Sequence, residues 1–222
     1  MANLKQDLFM AHTALMKNID LGGFLRGYTL LDVGSDSFVY KSNLEEKIIK
    51  VYVPLRLTSG QDFTVEDVFE TVKLYNSDTL KAKKAVEESW GAVSDEIRSI
   101  VLNGVKYDVL VSILPQGDVM GMVGGEALAI GQRYIEGNNL KQIFEHSERI
   151  KGFENFYNAP NESSTKIRQM LANASMLINN AVGVPFQIDN KNVKPVLYSD
   201  NKVLDLIVTD LADSIVANYC IL

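Results

Sequence analysis

Lys50 stands in the middle of the run Lys47-Ile48-Ile49-Lys50-Val51-Tyr52, where strand geometry puts it on the same face as Ile48 and Tyr52. A lysine inside a half-buried strand needs an anionic partner, because burying an unpaired ammonium is costly. Phosphate oxygens or a helix carboxylate would serve. An edge strand with Lys50 snorkelling to solvent is the other reading. Ahead of it comes Gly34-Ser35-Asp36-Ser37-Phe38-Val39-Tyr40-Lys41. A tight turn there could lay backbone N–H groups over phosphates, although any hairpin with one glycine has the same look. Near the other end, Asn192 precedes one apolar run and Asp210 closes the next, in Leu206-Ile207-Val208-Thr209-Asp210-Leu211-Ala212-Asp213. An amide carbonyl and a carboxylate brought together by a hairpin are hard oxygen ligands suited to magnesium. Taken singly they read as a turn asparagine and a strand-ending aspartate.

The elements that must position these residues follow from periodicity. Leu4, Leu8, Phe9, Leu15 and Ile19 predict a short amphipathic helix, broken by Gly22 and Gly23. Tyr28 to Val33, Phe38 to Lys41 and Lys47 to Val53 predict an antiparallel meander. Val65 to Val72 and Ser77 to Trp90 predict two helical segments. Val105 to Leu114 is a strand ending at Pro115-Gln116-Gly117-Asp118, and Glu126 to Ile135 is its expected partner. These five strands and the intervening helix make a first lobe. After the turn-rich joint Glu136-Gly137-Asn138-Asn139, Leu140 to Ile150 predicts a helix. Ser164 to Val182 predicts a stronger one, capped by Ser163 or Ser164 and stopped by Gly183 and Pro185. Val193 to Tyr198 and Val203 to Thr209 close as a hairpin over Ser199-Asp200-Asn201-Lys202.

Composition bounds what such a chain can do. Its 222 residues, 46% hydrophobic and 23% charged, suit one compact domain or two joined lobes. The net charge of −6 and the lack of a basic stripe argue against nucleic acid or an anionic membrane as partner. One cysteine, Cys220, and two histidines, His12 and His146, exclude a disulfide framework, a zinc cage or a histidine metal cluster within the chain. The first residues lack the basic and apolar regions of a signal peptide, so the expected setting is cytoplasmic.

The order of the pieces is more informative than any one of them. Glycine turn, strand lysine, helix, two strands, hinge, long helix, Asn, hairpin, Asp: over residues 28–213 this resembles the protein-kinase-like superfamily. The resemblance implies an α+β fold. Its parts are a five-stranded antiparallel N-lobe with a helix, and a reduced, mostly helical C-lobe ending in a β-hairpin. The implied division is an N-terminal extension at 1–24, an N-lobe at 25–135 and a C-lobe at 136–222. It also implies ATP bound between the lobes. Gly34, Ser35, Ser37 and Phe38 would then cover the phosphates, Lys50 would pair with them, and Gln132 and Tyr134 would border the adenine. Asn192 and Asp210 would hold magnesium.

Departures from the family pattern shape the expected activity. Where the family places its catalytic Asp, five residues before the metal-binding Asn, this chain has Gln187. An amide cannot accept a proton at neutral pH, though it can orient a nucleophile. Asp189 is the nearby carboxylate. The helix carboxylate expected to pair with Lys50 has three contenders, Glu66, Glu70 and Asp78. Twelve residues follow Asp210, which leaves no room for an activation segment or a peptide-docking lobe. The expectation is therefore a pseudokinase-like, nucleotide-binding module with weak or lost phosphotransfer and a protein partner. An active minimal phosphotransferase is the alternative, and an assembly protein without a ligand is the distant one. The apolar end Ile215 to Leu222 is expected to be buried, in the remnant lobe or in a partner.

Overall fold

A computed structural model describes residues 25–33, 37–52, 65–117, 119–123, 127–146, 162–183, 185–186 and 188–211. The expected N-terminal helix, the loop at 151–161 and the apolar end lie outside the described residues, as do Gly34, Ser35 and Gln187. The fold is mixed α+β, with two sheets and three helices among the described residues. The chain divides into two compact units. The first holds the described residues up to Asn76 together with Gln116–Ile135. The second holds Ser77–Pro115 and the described residues from Glu136 to Asp213.

The first unit is built on strands β1 (Tyr28–Val33), β2 (Ser37–Ser42), β3 (Lys47–Tyr52), β6 (Val119–Val123) and β7 (Ala127–Arg133). They form one antiparallel sheet in the order β1-β2-β3-β7-β6. Edge strand β1 carries a bulge between Leu30 and Asp32, which blunts an otherwise open row of hydrogen-bonding groups. On one face Phe38, Tyr40, Ile49, Val51 and Ala129 cluster with Leu25. Burial pushes the Tyr40 hydroxyl up to about 12. The other face of the two central strands is also buried, at Lys50, Tyr52, Leu128, Ile130 and Gln132. Burial on both faces explains why β3, with Ile49, Lys50, Val51 and Tyr52 all buried, shows no strict alternation of apolar and polar residues. The turn from β2 to β3 is held by the Ser42 hydroxyl, which accepts hydrogen bonds from the N–H groups of Leu44 at 3.2 Å and Glu45 at 3.1 Å.

The second unit has its own sheet of β4 (Ser99–Leu102), β5 (Val105–Ile113), β8 (Val193–Tyr198) and β9 (Val203–Val208), in the order β4-β5-β9-β8. Strands β5 and β9 run parallel, and the other pairs are antiparallel. Asn103 and Gly104 join β4 to β5 with φ of 51° and 78°, the doubly left-handed turn that Asn-Gly makes at little cost. The buried Trp90 indole donates to the Val109 carbonyl at 2.8 Å and anchors β5. Helix α1 (Val65–Ser89) is one continuous helix that contains the unit boundary. Helix α2 (Leu140–His146) opens with a reciprocal capping box: Asn139 N–H donates to Gln142 Oε1, and Gln142 N–H to Asn139 Oδ1, each at 2.9 Å. Helix α3 (Glu162–Val182) buries Ile167, Met170, Leu171, Ala174 and Ile178 and packs against β4. Gly183, at φ 77°, ends it.

Four expectations need correction. Strand β5 does not belong to the first sheet, and its partner is not β7; it pairs with β4 and β9 in the second unit. The fifth strand of the first sheet is β6, which the sequence reading had left out. The two predicted helical segments between Val65 and Trp90 are one helix, because neither Asn76 nor Ser77 breaks a helix as Gly or Pro would. Ser163 and Ser164 lie inside the first turn of α3 and not at its cap. Among the described residues no helix is long and apolar enough to cross a membrane.

Candidate functional site

Within the first unit, strand register decides which of the expected residues converge. Lys50 is paired with Val39 on one side and Ile130 on the other, at the centre of the sheet, and is only 6% exposed. The edge-strand reading of this lysine is therefore overturned. Ser37 lies opposite Tyr52, and Gln132 opposite Ile48. By alternation Ser37, Lys50 and Gln132 occupy one face of the sheet. Gln132 is 3% exposed. Phe38 points the other way: it pairs with Val51 and belongs to the core cluster on the opposite face. Its role is packing within the sheet, a distinction that the residue's place in the turn did not reveal. Tyr134 leaves the end of β7. Its N–H donates to the Glu46 carbonyl at 2.9 Å, and the Lys41 ammonium lies 4.2 Å from its ring centroid. The ring is thus fixed in place beside the buried Gln132.

In the second unit a backbone contact sets Asn192 beside Thr209, the residue before Asp210. Asp189 caps the 3₁₀ turn Asn190–Asn192 by accepting from Lys191 N–H at 3.0 Å. The Asn192 carbonyl then accepts both the N–H and the hydroxyl of Thr209, at 2.8 and 3.0 Å. These bonds clamp the open end of the β8–β9 hairpin and set Asn192 beside the residue that precedes Asp210. Both are partly exposed. One amide and one carboxylate at a clamped strand end are hard donors of the kind magnesium takes, and water would complete the shell. Among the described residues no group of three or more His, Cys, Asp or Glu converges, so a zinc-type cage is not built there.

Of the three helix carboxylates, Glu66 and Glu70 are exposed, and Glu70 lies 3.6 Å from Lys73. Asp78 is buried and accepts from Lys81 at 2.8 Å. Asp189 accepts from Lys191 N–H within its turn, and its carboxylate lies 3.8 Å from the Lys191 ammonium.

Two polar groups were not singled out by the sequence reading. Asp205, mid-strand on β9, accepts from the Ser112 hydroxyl at 3.1 Å with one oxygen, while its other oxygen is buried with no hydrogen-bond partner. Burial raises its carboxyl above the ordinary 3.8, with the Ser112 bond opposing. A raised pKa means that the folded state holds the proton longer. This contribution to stability is present at acid pH and is lost as pH climbs from 3.8 through the raised value. Asp205→Asn, which does not titrate, should therefore gain stability relative to the wild type as pH rises across that window. Paired urea melts at several pH values measure the difference, and a difference independent of pH would refute the assignment. The second group is Gln116, whose buried amide has no hydrogen-bond partner at either end. A charged residue inside an apolar strand is a legible signal, as Lys50 was, and would have flagged Asp205. A glutamine in a turn gives none.

Comparisons with known proteins add little to this geometry. No family model matches the chain, and no curated protein matches it. Among solved structures it is similar to the kinase domain of Mycobacterium tuberculosis PknI, at 16% identity and a TM-score of 0.33, over 84% of this chain and 61% of that one. The chain thus spans about three fifths of that kinase domain's length.

Proposed function

We propose that this chain is a kinase-like nucleotide-binding module in which Lys50 meets the phosphates of ATP, with phosphotransfer weak or lost and a regulatory role exerted through a protein partner. The observation that carries this reading is the buried, central position of Lys50 on a sheet face that it shares with Ser37 and Gln132. A cation held there is shielded from water, so its attraction to a phosphate is stronger than at an exposed site. Gln132 and the fixed ring of Tyr134 would border the base. Asn192 and Asp210 would hold magnesium, which supplies neutralisation of phosphate charge.

Proton transfer is where the chain falls short. Gln187 cannot accept a proton, and Asp189 serves its own turn. Binding and orienting a nucleotide need neither residue. This is why the reading favours a binding module over an active phosphotransferase.

The test is thermal unfolding of the full chain with ATP, with and without magnesium. A ligand present at 100 times its Kd and bound only by the native state adds about 2.7 kcal/mol. For a chain of this size that is a rise of roughly 5–11 °C. The expected result is a rise that magnesium enlarges. A rise indifferent to magnesium would remove Asn192 and Asp210 as ligands but keep the nucleotide. No rise at millimolar ATP would overturn the reading. Release of labelled phosphate onto an acceptor would move the protein to the active alternative.

A further inference from the structure

The β8–β9 hairpin is closed at its open end by more than the ladder requires. Val193 and Val208, the last pair in its register, are both fully buried. One step further out, the Asn192 carbonyl accepts the Thr209 N–H at 2.8 Å, which continues the backbone pairing. It also accepts the Thr209 hydroxyl at 3.0 Å. That hydroxyl takes the second lone pair of a carbonyl that the backbone already satisfies, so strand pairing does not need it. Its effect is to tie the Thr209 side chain to Asn192 at a strand end, where backbone pairs ordinarily open most easily. The flanking residues are held as well. Asn192 N–H donates to the Asp189 carbonyl at 2.9 Å, and Leu211, the residue after Asp210, is 2% exposed. Asn192 and Asp210 each stand between fixed points.

We propose that Thr209 is a positioning residue for magnesium, its hydroxyl holding the Asn192 backbone in register with that of Asp210. The inference rests on the assignment of magnesium to Asn192 and Asp210 above, and goes beyond it by naming what fixes that pair. Magnesium demands near-ideal octahedral geometry with oxygens at about 2.0–2.1 Å, whereas calcium accepts a looser shell at about 2.3–2.6 Å. A small shift between two ligands therefore weakens magnesium more than calcium. In this role Thr209 touches neither the ion nor the nucleotide. It acts through the Asn192 carbonyl, as groups behind a metal's direct ligands do when they orient them.

Calorimetric titration of the full chain with ATP in excess magnesium, in excess calcium and in EDTA tests this. The quantity read is the ratio of ATP affinity with metal to that in EDTA. Thr209→Val, of the same shape, removes the hydroxyl and keeps the 2.8 Å backbone bond, so the ligand-free melting temperature should change little. The variant should lower the magnesium ratio by about two- to twelvefold, the range that one neutral hydrogen bond corresponds to, and the calcium ratio by less. Affinity in EDTA should stay at the wild-type value. Thr209→Ser, which keeps the hydroxyl, should restore the magnesium ratio. An unchanged magnesium ratio in Thr209→Val, whether or not ATP affinity falls as a whole, would overturn the inference and leave the magnesium assignment standing. Failure of Thr209→Ser to restore the ratio would trace the effect to packing and overturn it equally. A wild-type ratio of one would remove Asn192 and Asp210 as ligands, and this inference with them, while ATP binding stood. No ATP binding by the wild type would overturn the nucleotide reading as well.

Discussion

Lys50→Met is expected to remove half or more of the ATP-induced rise in melting temperature while the protein stays folded. Methionine matches the length of the lysine stem and keeps the β3 backbone bonded to β2 and β7. What is lost is the charge-assisted contact with phosphate. Hydrogen bonds to charged groups contribute about 1.5–3 kcal/mol, or roughly 10- to 150-fold in affinity. A ligand concentration 100 times the wild-type Kd would then stand at roughly 0.7 to 10 times the variant's own Kd, which leaves about 0.3–1.4 kcal/mol of the 2.7 kcal/mol. Far-UV circular dichroism of the ligand-free variant supplies the control. An undiminished ATP shift in a folded Lys50→Met protein would take this lysine out of the site.

Gly117→Ala should be the more damaging change to the fold itself. The added methyl would stand 2.0 Å from a backbone oxygen, closer than real Cβ atoms come to anything, and 2.8 Å from the Gly131 carbonyl carbon. Backbone cannot swing aside as the end of a lysine can, so strand β7 or the segment before β6 must move. We expect a loss of about 3 kcal/mol, near the upper end of overpacking costs. That corresponds to a fall of roughly 6–12 °C in melting temperature. Gly91→Ala, where a Cβ meets nothing within 4 Å, should move it far less. Equal melting temperatures for the two variants would show that the close approach at Gly117 is relaxed in solution.

Much of this architecture could be read from residue order, and the parts that could not share a physical cause. The β1–β3 meander, the long amphipathic α3 with its glycine stop and the β8–β9 hairpin are local structures. Each is specified by periodicity and turn residues within a few positions. The partner of β5 is not local. Its alternation of Val109, Val111 and Ile113 with exposed residues says that one face is buried, but not which strand lies alongside. The hairpin turn Asn103-Gly104 did point to β4, and it was the stronger short-range signal. Strand β6, Val-Met-Gly-Met-Val, is short and interrupted by glycine, so its pattern is weak. Lys50 was legible because a cation amid apolar neighbours demands a partner. Phe38 misled because adjacent residues in a strand face opposite ways, and only the register tells which way each one faces.

The parallel seam between β5 and β9 also governs how the chain must be made. Ser112 and Asp205, bonded across that seam, are 93 residues apart. At typical rates of synthesis, roughly 5–20 s separate the emergence of the two strands from the ribosome. During that interval β4 and β5 can close their hairpin, but the other edge of β5 stays unpaired, with Val109, Val111 and Ile113 along it. An apolar strand edge left open is a template for pairing with another chain. Nascent chains are therefore most exposed to misassociation before Val203 is out, and slowing translation between β5 and β9 should lower the soluble yield.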